Sequence, residues 1–274
     1  MKLTTSTVEL PGPMNGYFAH PAGVNEPLPG VIVIQEIWGV DAHMRDVTDR
    51  FAAAGYAALS PDLFSRGGGR PPELSEPRME AAKDFLDSLP PSAWGNLMDP
   101  SKRDGELARL PEAERASIGG TIGKLLTPER FAMMPTYAQD LVAIAAWLRA
   151  RPEVGGKKLG AVGYCMGGGL AGALAAADPA LGASVIYYGQ PPAADAVPRI
   201  ACPVLVMFGS EDERLVAPSH AFEQAMKQAG KAIEMHVYPG APHAFFNDTR
   251  SSYRVGPSRD SFARTLALFA RALS

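Results

Sequence analysis

The residues of this 274-residue chain that most clearly suggest chemistry are the pentapeptide GYCMG at positions 163–167. It lies between the apolar run LGAV and the small-residue segment GGLAGALAAA, a pattern that predicts a strand, a sharp turn and a helix. Glycine is favoured beside such a turn, because larger side chains would collide with neighbouring backbone. The turn would present Cys165 at a helix N-terminus, where the helix dipole favours negative charge on sulfur. The pattern therefore predicts a nucleophilic cysteine.

Two other interpretations of this turn stay open. A cysteine in a glycine-rich turn can simply fill space in the core, and glycine-rich turns after strands also bind phosphate groups. The rest of the sequence favours the nucleophile, because partners suited to activate a thiol follow later in the chain.

Those partners occur in the order that the nucleophile elbow of an α/β-hydrolase requires: nucleophile, acid, histidine. Asp212 follows the apolar run VLVMF in the loop GSED, and His243 follows the run IEMHVY in the loop PGAPH. We expect Asp212 to hold the imidazole tautomer, and His243 to accept the thiol proton and later to protonate a leaving group or activate water. Glu211 and Glu213 are competing acids by position.

The histidine is chosen by its place after the last predicted strand, although a surface-loop histidine would satisfy the same pattern. The chain has five histidines, and the other four, which do not follow that strand, are His20, His43, His220 and His236. Asp248, downstream of His243, is a poorer candidate for the acid.

The first buried run ends in QEIWG at positions 35–39, which brings an acid and an aromatic residue to the carboxyl end of a strand. Ligands of open α/β sheets bind at that edge. We expect the backbone N–H groups of Ile37 and Met166 to form an oxyanion hole. Glu36 could equally be a solvated carboxylate at the end of its strand.

Short β-branched runs alternate with segments of helical period along the chain, which predicts α/β architecture with a mostly parallel, eight-stranded central sheet and helices on both faces. We expect a single domain over residues 1–274. Six strands can be located, at residues 31–35, 56–59, 159–164, 183–188, 204–209 and 233–238.

Residues 66–130 interrupt this alternation, being rich in proline, glycine and charge, with weak helix signals at 79–86 and 111–126. A long insertion of this kind usually forms a cap or lid over a site. The alternative is a mobile surface insertion without function.

Composition excludes several other classes. A net charge of −3 and an isoelectric point near 6.0 give no general attraction to nucleic acid or anionic membranes. The N-terminus shows no signal-peptide pattern, so we expect a cytoplasmic protein without a membrane association. We therefore expect no structural disulfide between Cys165 and Cys202, and the scattered histidines indicate no metal site.

Taken together, the segments IVIQEIWGVDAHMRDV, GYAALSPDLF, LGAVGYCMGGGLAGA, YYG, FGSEDE and PGAPHAFF resemble the dienelactone hydrolases, or carboxymethylenebutenolidases. The resemblance covers roughly three-quarters of the chain and leaves residues 66–130 mostly unmatched. It implies an α/β-hydrolase fold, Cys165, Asp212 and His243 as the triad, and Ile37 with Met166 as oxyanion donors. It also implies that Glu36 lies beside a partly neutral thiol and moves on substrate binding to help generate the thiolate.

One departure concerns the substrate. Family members that act on dienelactone bind its carboxylate with arginines, one of them four residues after the catalytic histidine, where this chain has Asn247. Arg115 or another arginine of the insertion is a possible substitute. Trp38 and the pair Tyr187 and Tyr188 suggest an aromatic wall for the substrate, although such residues are as often plain core.

We therefore expect hydrolysis of a small ester or lactone through a thioester, without metal or organic cofactor, by a monomer or homodimer. Trp38, Tyr188 and Asn247 are the expected substrate-binding residues. One alternative is a broader carboxylesterase for neutral or aromatic esters. Another, from a different class, is a non-hydrolytic thiol redox or binding protein on a hydrolase scaffold.

Overall fold

An eight-stranded sheet forms the centre of the protein in the computed structural model, which describes residues 1–90 and 93–274. The strands run in the spatial order β1-β2-β4-β3-β5-β6-β7-β8. Pairs β1–β2 and β2–β4 are antiparallel and all the others are parallel, which confirms the predicted mostly parallel sheet. The strands are β1 Leu3–Leu10, β2 Met14–Pro21, β3 Gly30–Ile34, β4 Ala57–Pro61, β5 Leu159–Tyr164, β6 Leu181–Tyr187, β7 Val204–Gly209 and β8 Ile233–Tyr238.

The six located strands are confirmed, with β5, β7 and β8 at the predicted bounds. Strands β3, β4 and β6 differ from the prediction by one or two residues at their ends. Strands β1 and β2 were not located. Strand β1 lies at the edge of the sheet with most of its residues exposed, so its sequence LTTSTVEL carries no buried apolar run.

Helices cover both faces of the sheet, as predicted. Phe269 of the last helix packs near Gly160 of β5, and Gly167 of the helix after β5 packs against Gly163 of the same strand. Gly160 and Gly163 are three residues apart, so they face opposite sides of the sheet. The helices are α1 Ala42–Ala53, α2 Glu76–Ser88, α3 Ala93–Met98, α4 Pro100–Leu107, α5 Glu112–Leu125, α6 Pro128–Ala132, α7 Met134–Arg149, α8 Met166–Ala177, α9 Glu213–Gln228 and α10 Val255–Ala272.

The insertion at 66–130 is more helical than its sequence indicated. Helices α2 and α5 match the two weak signals, whereas α3, α4 and α6 were not predicted because they are too short to show a clear period. Its own apolar side chains are buried, among them Leu74, Met79 and Ile122.

One buried ion pair joins the insertion to the core. Lys83 of α2 donates to Asp41 at 2.6 Å, and their side chains are only 7% and 3% exposed. The other oxygen of Asp41 caps helix α1 by accepting from the amide of Met44. Helix α2 is therefore held by an ion pair to Asp41, the residue that caps helix α1. None of the helices among the described residues is both long enough and apolar enough to cross a bilayer.

We expect Lys83→Met to lower the free energy of unfolding by about 3 kcal/mol or more, because it leaves the buried carboxylate of Asp41 without its cation. Denaturant unfolding would measure the loss. Adding Asp41→Asn should recover much of it, since asparagine still caps the helix but carries no charge. The matched control is Lys102→Met, which removes an exposed pair with Asp99 and should change the free energy by less than about 1 kcal/mol. Equal stability of Lys83→Met and wild type would contradict the inferred importance of this pair.

Candidate active site

Cys165 lies at the sharp turn between β5 and α8, as the pentapeptide predicted. Its φ of 55° is in the left-handed region that residues other than glycine rarely adopt. The turn is held by a hydrogen bond from the Cys165 amide to the carbonyl of Tyr187 on the adjacent strand, at 3.0 Å. Strained geometry of this kind presents a side chain at the edge of the sheet.

The flanking glycines have the steric role expected of them. A Cβ atom added at Gly163 would lie 1.8 Å from the carbonyl oxygen of Gly167. One added at Gly167 would lie 2.3 Å from the carbonyl oxygen of Ile34, on strand β3. Both obstacles are backbone atoms, so neither can move aside as a flexible side chain could. The turn can approach β3 this closely only with glycine at both positions.

Sheet register brings the loops of the predicted site together. Ile34 of β3 pairs with Gly163 of β5, so the loop that carries Glu36 begins beside the cysteine turn. A Cβ atom at Gly209, the last residue of β7, would lie 2.0 Å from the carbonyl oxygen of Ala241. The acid loop and the histidine loop are therefore in backbone contact.

The side chains of Cys165, His243 and Asp212 lie in one row. Nδ1 of His243 bonds to Oδ2 of Asp212, and the thiol of Cys165 lies near enough to the imidazole to influence its charge. The Asp212 side chain is 2% exposed and that of His243 is 34% exposed. The arrangement can transfer a proton between sulfur and imidazole while the carboxylate orients the ring.

Electrostatics favour a protonated imidazole in this row. Burial lowers the pKa of His243, but the charge of Cys165 and the hydrogen bonds with Asp212 and Cys165 outweigh it and raise the pKa to about 10. Burial likewise raises the pKa of Asp212, and the hydrogen bond and charge of His243 outweigh that effect and lower it. The histidine can therefore serve as a proton donor at neutral pH.

Glu36 is buried, only 2% exposed, so it is not the solvated carboxylate of the alternative interpretation. It accepts hydrogen bonds from the hydroxyl of Tyr188 at 3.1 Å and from Nδ2 of Asn247 at 2.7 Å. Burial and the nearby charge of Glu36 raise the pKa of Tyr188, which keeps its hydroxyl protonated as a donor. The Tyr188 ring also packs edge-on against the His243 ring, with centroids 5.2 Å apart.

The two predicted oxyanion donors occupy suitable places in the backbone. Met166 is the first residue of helix α8, where an N–H group has no acceptor within its own helix. Ile37 follows Glu36 in the loop after β3, and its N–H makes no backbone hydrogen bond within residues 1–90 and 93–274. Both groups are free to donate to a carbonyl oxygen.

Two cations that the sequence analysis did not single out flank Trp38. The guanidinium of Arg250 lies 4.9 Å from the ring centroid and the ammonium of Lys83 lies 5.9 Å from it. Arg250 also donates to Asp87 of α2 at 2.7 Å. No local pattern could reveal these contacts, because they join residues far apart in the chain. Arg115, considered as a substitute clamp, instead donates to the carbonyls of Ala108 and Leu110 within the insertion.

The competing candidates have other partners. Asp248 bonds to the buried His43 at 3.1 Å and also to Arg50, and His236 bonds to Glu234 at 2.6 Å. Cys202 is buried, which raises the pKa of its thiol to about 11. Such a thiol is a poor nucleophile at neutral pH.

The sheet order and the strand–elbow–helix unit define an α/β-hydrolase. The chain belongs to the dienelactone hydrolase family, whose family model matches residues 14–273. It is therefore a hydrolase, as the sequence indicated.

Similar proteins agree with this assignment. The "Putative carboxymethylenebutenolidase" of Saccharolobus solfataricus is 31% identical over 241 residues, which cover 88% of each chain. A protein of the same name from Escherichia coli K12 is 29% identical, covering 93% of this chain and 82% of its own. The crystal structure of the "Putative Dienelactone Hydrolase" from Klebsiella pneumoniae superposes with a TM-score of 0.73 at 26% identity, covering 99% of this chain and all of its own.

Replacement of Gly163 by alanine should lower the free energy of unfolding by about 3 kcal/mol or more, because the added methyl group meets fixed backbone. Thermal or denaturant unfolding would measure the loss. Gly105→Ala is a matched control, since a Cβ there has nothing within 4 Å and the residue lies inside helix α4. Alanine at that position should be neutral or stabilising by up to about 1 kcal/mol. Equal effects at the two sites would contradict the steric argument.

The raised pKa of His243 predicts that the imidazole keeps its proton up to about pH 10 and loses it only above that pH. In Asp212→Asn the titration should move to lower pH, because the carboxylate that stabilises the imidazolium is gone. NMR titration of the histidine Hε1 resonances would measure both. The exposed His220 provides an internal reference resonance. Titration of His243 at the same pH in both proteins would contradict the assigned coupling.

Proposed function

We propose that the protein hydrolyses a small-molecule ester or lactone through a thioester on Cys165. The observation that carries the proposal is the row in which Cys165, at a φ of 55°, lies beside His243, which bonds to Asp212. Membership of the dienelactone hydrolase family and similarity to carboxymethylenebutenolidases support the ester or lactone as substrate class.

In the first step the Cys165 thiolate attacks the carbonyl carbon, and the carbonyl oxygen gains negative charge. The N–H groups of Ile37 and Met166 stabilise this oxyanion by donating to it. Collapse of the intermediate breaks the bond to the leaving oxygen, which takes the proton held by His243. The products are a thioester and an alcohol, or an open-chain hydroxyl when the substrate is a lactone.

In the second step neutral His243 removes a proton from water, and the resulting hydroxide attacks the thioester carbonyl. The carbon–sulfur bond breaks, the acid is released, and sulfur leaves as a thiolate beside the newly protonated imidazole. Asp212 stabilises the imidazolium in both steps and holds its tautomer.

The role implied for Glu36, helping to generate the thiolate after moving toward it, stays part of the proposal. Any such movement has to break the hydrogen bonds from Tyr188 and Asn247. Both donors are buried, at 1% and 0% exposure, so we assign them to holding Glu36 rather than to touching substrate directly. Trp38 remains the proposed aromatic wall of the substrate site.

A second candidate is a carboxylesterase for neutral or aromatic esters. It is favoured by Asn247, because the arginine that binds a substrate carboxylate in dienelactone hydrolases is replaced by a neutral amide. The oxygen of that amide accepts from the backbone and hydroxyl of Thr249, and its nitrogen donates to Glu36. A site without this cation would tolerate a wider set of acyl groups.

We also propose that residues 66–130 close one side of this site as a cap. Its support is the contact of helix α2 with the site loops: Lys83 bonds to Asp41, Asp87 accepts from Arg250, and both cations flank Trp38. These contacts hold the insertion against the residues that follow Ile37.

Cys165→Ala should reduce kcat/KM for p-nitrophenyl acetate and for a dienelactone by at least about 10⁴-fold, because the reaction loses its nucleophile. Steady-state rates would measure this, with Cys202→Ala as the matched control that should retain wild-type rates. Mass spectrometry of rapidly quenched wild type should show an acyl adduct on Cys165.

Equal rates for wild type and Cys165→Ala would overturn the thioester mechanism. The ratio of kcat/KM for the two substrates decides between the candidate functions. A higher kcat/KM for the dienelactone supports the first, and a higher kcat/KM for the neutral acetate supports the carboxylesterase.

A further inference from the structure

A cavity of about 590 Å³ lies between the insertion and the core, and its lining does not include Cys165, His243 or Asp212. This volume falls in the range of small-molecule binding sites. Its walls come from the segment after β4, from the end of α5, from Thr127 with helix α6, and from the start of α7. Its lining includes Phe64, Lys124, Thr127, Glu129, Arg130 and Tyr137.

Arg130 is the central cation of this cavity. Its guanidinium stacks on Phe64, 4.4 Å from the ring centroid, and it donates to the hydroxyl of Tyr137 and to the carbonyl of Lys124. Within residues 1–90 and 93–274 it has no carboxylate partner, and neither has Lys124. A guanidinium stacked on an aromatic ring without a counter-ion is a typical receptor for a planar anion.

The hydroxyl groups of the cavity complement this cation. Tyr137 accepts from Arg130, so its own hydrogen remains available to a ligand, and Tyr137 is only 2% exposed. Thr127 accepts from the amide of Arg130 at 3.3 Å, so its hydroxyl hydrogen is also available. The cavity therefore offers two O–H donors beside a cation.

The charges also limit the ligand. Arg66 lines the cavity but is neutralised by Asp140 at 2.8 Å, which leaves Lys124 and Arg130 against the single carboxylate of Glu129. The unpaired lining charge is thus +1, which suits a monoanion better than a dianion. Phe64, Leu63 and Met133 form an apolar wall beside these polar groups.

We infer that this cavity is a binding site for an aromatic monocarboxylate, with the ring against Phe64 and the carboxylate on Arg130, Tyr137 and Thr127. The site goes beyond the proposed hydrolysis, since binding there requires no contact with the thiol. The cavity nevertheless adjoins the loop after β3 that carries Glu36 and Ile37, because a Cβ added at Gly39 would lie 3.2 Å from the Phe64 ring.

Isothermal titration calorimetry of the full chain with benzoate tests the site. We expect one benzoate per chain, with binding weakened about tenfold or more in Arg130→Met and also weakened in Tyr137→Phe. Arg109→Met is the matched control, because Arg109 is an exposed arginine of the same insertion that pairs with Glu106 outside the cavity. Benzyl alcohol should bind at least tenfold more weakly than benzoate, and phenyl phosphate should bind no more tightly.

The same titration in Cys165→Ala separates this inference from the proposed function, since benzoate should bind the variant as it binds wild type. Loss of binding in Cys165→Ala, or equal benzoate affinity in Arg130→Met and wild type, would overturn the site. Tighter binding of phenyl phosphate would overturn the ligand class. If Arg130→Met does not fold, a crystal of wild type soaked with 4-bromobenzoate decides: anomalous bromine density beside Phe64 supports the site, and density elsewhere or none contradicts it.

Discussion

Backbone packed directly against backbone at the turn between β5 and α8 is the contact on which the rest of the site depends. Gly163 lies against Gly167, and Gly167 against the end of β3, with no space for a side chain at either place. This closeness places Cys165 beside the loop that carries Glu36 and Ile37, and it starts helix α8 at Met166. The position of the thiol is therefore set by backbone geometry rather than by the packing of side chains, which can vary without moving it.

Around that turn the protein buries several ionisable groups, and each is stabilised differently. Asp212 faces the imidazole of His243, whereas the donors to Glu36 within residues 1–90 and 93–274 are the neutral groups of Tyr188 and Asn247. Tyr188 touches both systems, since its hydroxyl bonds to Glu36 and its ring packs on His243. A displacement of Glu36 would therefore also disturb the packing of the Tyr188 ring against His243. Neutral donors hold a buried carboxylate less firmly than a cation does, which suits the movement of Glu36 that we propose.

The candidate site could be located from the sequence because each proposed triad residue follows a strand that the sequence predicts. Cys165, Asp212 and His243 are marked by short local patterns, and the chain order of the fold relates them. Contacts between distant segments left no such pattern: Lys83 with Asp41, Arg250 with Trp38 and Asn247 with Glu36 depend on how α2 and the histidine loop fold back. Strand β1 could not be located from the sequence for a different reason: most of its residues are exposed and carry no apolar periodicity. That an arginine of the insertion binds a substrate carboxylate stays a prediction, and Arg115 is engaged by carbonyls of its own segment.

Asp41 interacts with two separate parts of the chain, so the residue that is tolerated at position 41 should depend on whether the insertion is present. One of its oxygens caps helix α1 and the other meets Lys83 of the insertion, deep in the protein. In a homologue that lacks residues 66–130, an aspartate at position 41 would be buried without its counter-ion. Selection would then favour a neutral helix cap there, such as asparagine or serine. Gain of the segment would permit the reverse change. The identity of a single helix-capping residue should therefore co-vary with the presence of the insertion across the family.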